Sequence, residues 1–101
     1  MEMYMKKEEK YPPINVLNIM RGFSNPKLKH HITPYRFETK TGEAFQIKQI
    51  RQVHKERVGK GHHFHYVVKT DTGRFFHLVF DTTILSWRMV QEVDEILFFN
   101  D

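Results

Sequence analysis

The chain contains no cysteine, so disulfides, thiolate nucleophiles and cysteine-based zinc sites are excluded. It also has no apolar run near the roughly 20 residues that a membrane-spanning helix needs. The lysines near the start are not followed by an apolar segment, so we expect no secretory signal. Together these absences predict a cytoplasmic protein that does not associate with membranes.

Motifs of known enzymes and cofactor sites are missing as well. The stretch GKGHH (59–63) lacks the spacing of a phosphate-binding loop, and no RNP, KH or helix-turn-helix signature occurs. A histidine and an aspartate can share acid–base chemistry, but no candidate nucleophile lies beside such a pair. The sequence therefore predicts a non-catalytic protein with no cofactor and no small-molecule substrate.

The residues that are present suffice for one folded domain. Hydrophobic residues make up 40% of the 101 positions and aromatic residues 14%, which allows a modest core without crosslinks. We expect residues 1–11 to form a flexible charged tail and residues 12–101 to form a single β-rich domain.

Charge is distributed unevenly along the chain. Residues 21–74 contain twelve lysines or arginines against four acidic residues, whereas residues 75–101 contain one arginine against five acidic residues. This division favours either an anionic partner or attraction between copies of the chain.

Two stretches, residues 35–47 and 66–78, are similar to each other at an offset of 31 positions. Both stretches have a tyrosine at the first position and a phenylalanine at the eleventh, and each contains a short turn that ends in glycine (Gly42 or Gly73). Glycine supplies the positive φ that such hairpin turns require. We therefore interpret both stretches as β-hairpins of the same construction.

The turn of the second hairpin predicts its register. If Thr70 pairs with Arg74, the opposed apolar residues share one face of the sheet, and the first hairpin gives the same result. This predicts a mainly β fold of about five to six antiparallel strands in meander order, strongly curled or closed into a small barrel. The predicted core consists of Tyr35, Phe37, Phe45, Ile47, Phe64, Tyr66, Val68, Phe76, Leu78, Phe80 and Trp87.

Three segments are harder to assign. Residues 14–22 follow two prolines and place apolar residues at helical spacing, which favours a short helix, although their β-branched residues also fit a strand. Residues 46–58 fit a helix or a bulged strand, and we favour a long bent strand because it continues a hairpin. The tail, residues 91–99, predicts one more short helix.

Histidines of the second hairpin form a candidate metal site. The register places His63, His65 and His77 on the face opposite the core, with His63 across from Asp81. Two imidazoles on one side of a strand are ligands that zinc and other divalent metals accept, and a carboxylate can add a ligand or orient a histidine. Scattered surface histidines would produce the same pattern, so metal binding is one alternative.

The same face also contains apolar residues. Val67, Phe75 and Val79 lie beside His77, whereas a solvated outer face of a sheet is normally polar throughout. We therefore expect this face to be covered, by another segment of the chain or by a partner. A binding module for a protein, or for a second copy of itself, is the first functional prediction.

Basic residues provide a further alternative. Lys48, Arg51, Lys55, Arg57 and Lys60 follow the third strand and its loop. Small β-barrels bind nucleic acids through a positive surface combined with stacking aromatic rings. Because the phenylalanines belong to the predicted core, few rings are left for bases, and a solvated basic face explains the same residues.

Overall fold

Residues 11–94, which the computed structural model describes, form six antiparallel strands. The strands are β1 (Pro13–Met20), β2 (Ile32–Glu38), β3 (Ala44–Val58), β4 (Gly61–Thr70), β5 (Phe75–Asp81) and β6 (Ser86–Val93). Each pairs with the next along the chain, and β1 pairs with β6, so the meander closes into a barrel. The predicted fold class is confirmed. Among these residues no helix is long and apolar enough to span a membrane.

The two hairpin turns that end in glycine have the same hydrogen bonds. In turns 39–43 and 70–74 the first residue donates its N–H to the carbonyl of the fifth, at 2.8 and 2.9 Å. The glycine donates to the carbonyl of the first residue at 3.0 Å in both turns. Gly42 and Gly73 have φ of 96° and 82°, as the sequence predicts for these positions.

Aromatic rings fill the barrel interior. Phe37, Phe45 and Phe76 lie 4.9–5.5 Å apart between ring centroids, and Trp87 packs against Tyr66 at 5.2 Å. Burying one large apolar side chain contributes about 1.5–3 kcal/mol, so this cluster stabilises the barrel strongly. The predicted core is confirmed except at one position, with Ile47 and Phe64 packed at its margin.

Tyr35 is that exception, because its side chain is 39% exposed. Leu17 of β1 pairs with Arg36, but the next residue, Asn18, pairs with Pro34. Tyr35 is therefore the extra residue of a β-bulge, and Pro34 and Phe37 are buried on either side of two outward-facing positions. The bulge turns away from the core a side chain that strict alternation would bury.

β3 is the bent strand that the sequence predicts, and two bulges account for its irregular pattern. Ile47, Ile50 and Val53 all pack against the core although they are three positions apart. Each step contains one extra residue, because the pairing with β4 skips Lys48 and then Arg51. A period of three thus arises in a strand without any helical turn.

The predicted helix over residues 14–22 is wrong, and its strand alternative is correct. β1 pairs with β2 along six residues and closes the barrel through two pairs with β6. Leu17, one of the apolar residues at helical spacing, is 67% exposed. At the other end residues 91–93 belong to β6 and Asp94 belongs to no helix or strand, whereas residues 95–99 of the predicted C-terminal helix lie outside the described residues. Residues 1–10 of the predicted N-terminal tail also lie outside them.

The seam between β2 and β3 is short. Only three residue pairs join the two strands, from Arg36–Gln46 to Glu38–Ala44, before β3 turns towards β4. The beginning of β2 is bonded instead across the interior, where the Tyr66 hydroxyl donates to the carbonyl of Ile32 at 2.6 Å. Pro34, which has no N–H to donate, lies in the same part of β2, which pairs with β1 but not with β3, a position that suits proline. The divergence opens a groove between the strands.

Candidate metal centre

The β3–β4 hairpin turns through a two-residue loop, Gly59–Lys60, in which Gly59 has φ of 60°. A loop this short fixes the register of both strands. Glu56 consequently lies opposite His63, and His54 lies opposite His65. Opposed residues project from the same face of a sheet, so three histidines and one carboxylate gather on the outer face, the face directed away from the barrel interior.

The neighbouring strand β5 adds two further side chains to this face. The register follows the sequence prediction, with His63 across from Asp81 and Val67 across from His77. His77 is consequently a diagonal neighbour of His65. The outer face of β3, β4 and β5 thus brings together six ionisable side chains, which we call the histidine cluster: His54, Glu56, His63, His65, His77 and Asp81.

Within the cluster, one atom each of Glu56, His63 and His65 lies within 4.8 Å of the other two. Glu56 Oε1 lies 2.9 Å from His65 Nε2. Zinc bonds to nitrogen and oxygen of about 2.0–2.2 Å place tetrahedral ligands roughly 3.4 Å apart, so small side-chain shifts suffice to enclose an ion. His63 is 3% exposed, so one of the three candidate ligands is a buried side chain.

The remaining cluster members hold the ligand rings in place. Asp81 Oδ2 lies 3.2 Å from His63 Nε2, and His77 Nε2 lies 2.9 Å from His65 Nδ1. The ring of His54 stacks on that of His65 at 4.6 Å with an interplanar angle of 6°. Metal-binding histidines commonly have their second ring nitrogen held by a carboxylate or another polar group.

The charge states suit a metal ligand set. The hydrogen bond from His65 lowers the pKa of Glu56, and the nearby charges of His65, His63 and His54 act in the same direction against the effect of burial. Burial lowers the pKa of His77 to about 4, with smaller contributions from His65 and His54. At neutral pH Glu56 is therefore a carboxylate and His77 is a neutral imidazole.

The predicted partner-binding face lies beside this cluster and is mostly buried. Val67, Phe75 and Val79 are 4%, 3% and 2% exposed, and His77 is partly buried. The guanidinium of Arg51 lies over the Phe75 ring at 5.4 Å. His77 is thus the member of the set that retains access from outside.

The structure does not bring the five predicted nucleic-acid-binding residues onto one face. Lys48 and Arg51 are the two bulge residues of β3, and Arg51 covers Phe75 on the outer face. Lys55 lies opposite Phe64 and therefore on the other face of β3, as does Arg57 opposite His62, while Lys60 lies in the hairpin loop. These residues do not form a continuous stripe.

Glu56 and His54 are members of the site that were not predicted from the sequence. Their signal is the spacing of Gly59–Lys60, because a two-residue loop pairs Glu56 with His63. Comparison with protein families, with curated proteins and with solved structures finds no match to this chain. The interpretation of the site therefore depends on its own geometry.

Proposed function

We propose that this protein binds a divalent transition-metal ion through Glu56, His63 and His65. The observation that carries the proposal is the convergence of a carboxylate oxygen and two imidazole nitrogens within 4.8 Å on adjacent strands. Imidazole and carboxylate ligands suit zinc, nickel, copper(II) and iron(II) better than magnesium or calcium. Three protein ligands leave a coordination position for water or for a further ligand.

In this proposal Asp81 and His77 are positioning residues. Asp81 engages Nε2 of His63, and His77 engages Nδ1 of His65, so each ligand histidine is oriented by a neighbour on β5. Outer partners of this kind typically change metal affinity by 10- to 100-fold when they are removed.

Calorimetric titration of the full chain with zinc, nickel and copper(II) tests the proposal. We expect one ion per chain, loss of binding in His65→Ala and weaker binding in Glu56→Gln. His31→Ala is the matched control, since His31 is exposed and lies outside the cluster. Because ligating histidines must be neutral, binding should weaken below about pH 6. Absence of heat with all three metals, or equal heat in His65→Ala, would remove metal binding as the function.

A protein partner or a second copy of the chain remains a second proposal. The observation that favours it is the outer-face groove of about 650 Å³ lined by His54, His77, Gln91 and Val93, among others. Light scattering of wild type and of His77→Glu tests it. A dimer that the substitution dissociates would support this surface as an interface, and a monomer in both would remove self-association.

A further inference from the structure

A second site lies on the opposite flank of β3, in the groove where β2 and β3 diverge. The groove has a volume of about 260 Å³ and is lined by residues of β2, of β3 and of the loop between β1 and β2. It exists because β2 and β3 share only three residue pairs. No residue of the histidine cluster lines it.

Two bulges direct side chains into this groove. Tyr35 is the extra residue of β2, and Lys48 is an extra residue of β3. Both line the groove, and both are exposed. Bulges commonly reorient a side chain next to a functional site, and here two of them act on one groove.

The groove is positively charged. Lys27, Lys29 and Lys48 line it together with His30, and its lining contains no acidic residue. Within residues 11–94 none of the three lysines forms an ion pair, in contrast to Arg74, which makes two hydrogen bonds to Glu92 at 2.9 Å. Their charge is therefore available to an anionic ligand.

Hydrogen bonds within the β1–β2 loop position its lysines. The backbone N–H of Lys27 donates to Asn25 Oδ1 at 2.9 Å, and the guanidinium of Arg21 donates to the carbonyl of Leu28 at 2.8 Å. Leu28 also donates its N–H to the carbonyl of Asn25 at 2.9 Å. These bonds hold Lys27 and Lys29 at the edge of the groove before any ligand arrives.

We propose that this groove binds single-stranded nucleic acid, with the three lysines on phosphates and a base stacked on the ring of Tyr35. Stacking on an aromatic ring combined with a positive groove is the usual arrangement for single strands. The partly buried Ile47 and Ile50 add apolar surface beside the ring. A base can stack on Tyr35 only when its face is exposed, which favours a single strand over a duplex, whose bases are already stacked on one another.

Fluorescence anisotropy of the full chain with labelled 12-nucleotide DNA and RNA of mixed sequence, in EDTA, tests this site separately from the metal centre. Three phosphate contacts predict a log–log salt slope of about −2, because each contact contributes roughly −0.7 on a single strand. Raising salt from 50 to 200 mM should therefore weaken binding about 20-fold.

Matched variants distinguish binding in this groove from non-specific electrostatic attraction of nucleic acid to the protein. Lys27→Glu/Lys48→Glu should weaken binding at least tenfold, whereas Lys55→Glu/Lys60→Glu makes the same charge change at the end of the β3–β4 hairpin and should retain most of it. Tyr35→Ala should weaken binding about tenfold, and Tyr35→Phe should restore it because the ring stacks. Thermal melts of each variant establish that it is folded.

Several results would overturn the proposal. These are no anisotropy change at 50 mM salt, equal losses in the two double variants, or equal losses in Tyr35→Phe and Tyr35→Ala. Binding to vesicles of anionic phospholipid without binding to either oligonucleotide would assign the groove to a membrane surface instead, and would equally overturn it.

Discussion

Replacing Tyr66 with phenylalanine tests how the barrel is stabilised at the start of β2, where β2 does not pair with β3. The Tyr66 hydroxyl donates to the Ile32 carbonyl at 2.6 Å, and the Tyr66 side chain is 1% exposed. Losing a neutral hydrogen bond and leaving a buried carbonyl without its donor costs about 1–3 kcal/mol. The ring remains, so no large cavity forms. We expect a loss of about 2 kcal/mol, which is roughly 8–16 °C in Tm for a domain of this size.

The same substitution should change alkaline unfolding. Burial raises the pKa of Tyr66 to about 12, whereas an unfolded tyrosine titrates near 10. The folded state therefore keeps the proton between these pH values while the unfolded state loses it. The stabilisation is therefore fully present below pH 10 and is lost as the pH rises through 12. The resulting fall in the free energy of unfolding is at most about 2–3 kcal/mol before solvent screening.

Urea denaturation followed by the fluorescence of Trp87, the single tryptophan, measures both effects. Curves at pH 7 give the cost of the lost hydrogen bond, and curves from pH 9 to 12 give the alkaline slope. Tyr35→Phe is the control, because it removes a hydroxyl from an exposed side chain. Equal midpoints of Tyr66→Phe and wild type at pH 7, or equal alkaline slopes, would refute the assigned role of this hydroxyl.

Further substitutions test the turns and the histidine cluster. Gly42→Ala and Gly73→Ala should each lower the free energy of unfolding by about 1–2 kcal/mol, since both glycines have positive φ and open space around them. Gly22→Ala, without positive φ, should be neutral in the same urea curves. With the pKa of His77 lowered to about 4, the metal-free protein should lose about 1–2 kcal/mol, screening included, as the pH falls from 6.5 to 4. His77→Gln should flatten that loss, and an unchanged acid slope would contradict it.

The hairpins are predictable from the sequence because residues close together in the chain determine them. The turns at Gly42 and Gly73 fix their own register, so Phe37–Phe45 and Val68–Phe76 are opposed as the sequence predicts. The identity of β1 depends instead on distant partners. Its apolar spacing fits a helix, but pairing with β2 and β6 gives a strand.

The β-bulges at the two sites also depend on pairing between strands, so the sequence alone does not reveal them. Tyr35 fits the alternation of a core residue, and only the pairing of β2 with β1 makes it an extra residue. Lys48 and Arg51 likewise do not lie in the expected basic stripe, because each is the extra residue of a β-bulge in the pairing of β3 with β4. The histidine pairs on β4 and β5 were predictable because their hairpin is regular. Glu56 was missed because the register of β3 was left open.

Closure of the barrel has a consequence for the order of folding. Its two pairs, Pro13–Arg88 and Ile14–Trp87, join residues about 74 positions apart, whereas every other seam joins consecutive strands. Contacts between distant residues carry the largest loop-closure entropy, so we expect the meander to assemble first and β1 to meet β6 last. Until then β1 and β6 are unpaired sheet edges, which is when a nascent chain is most exposed to pairing with its neighbours.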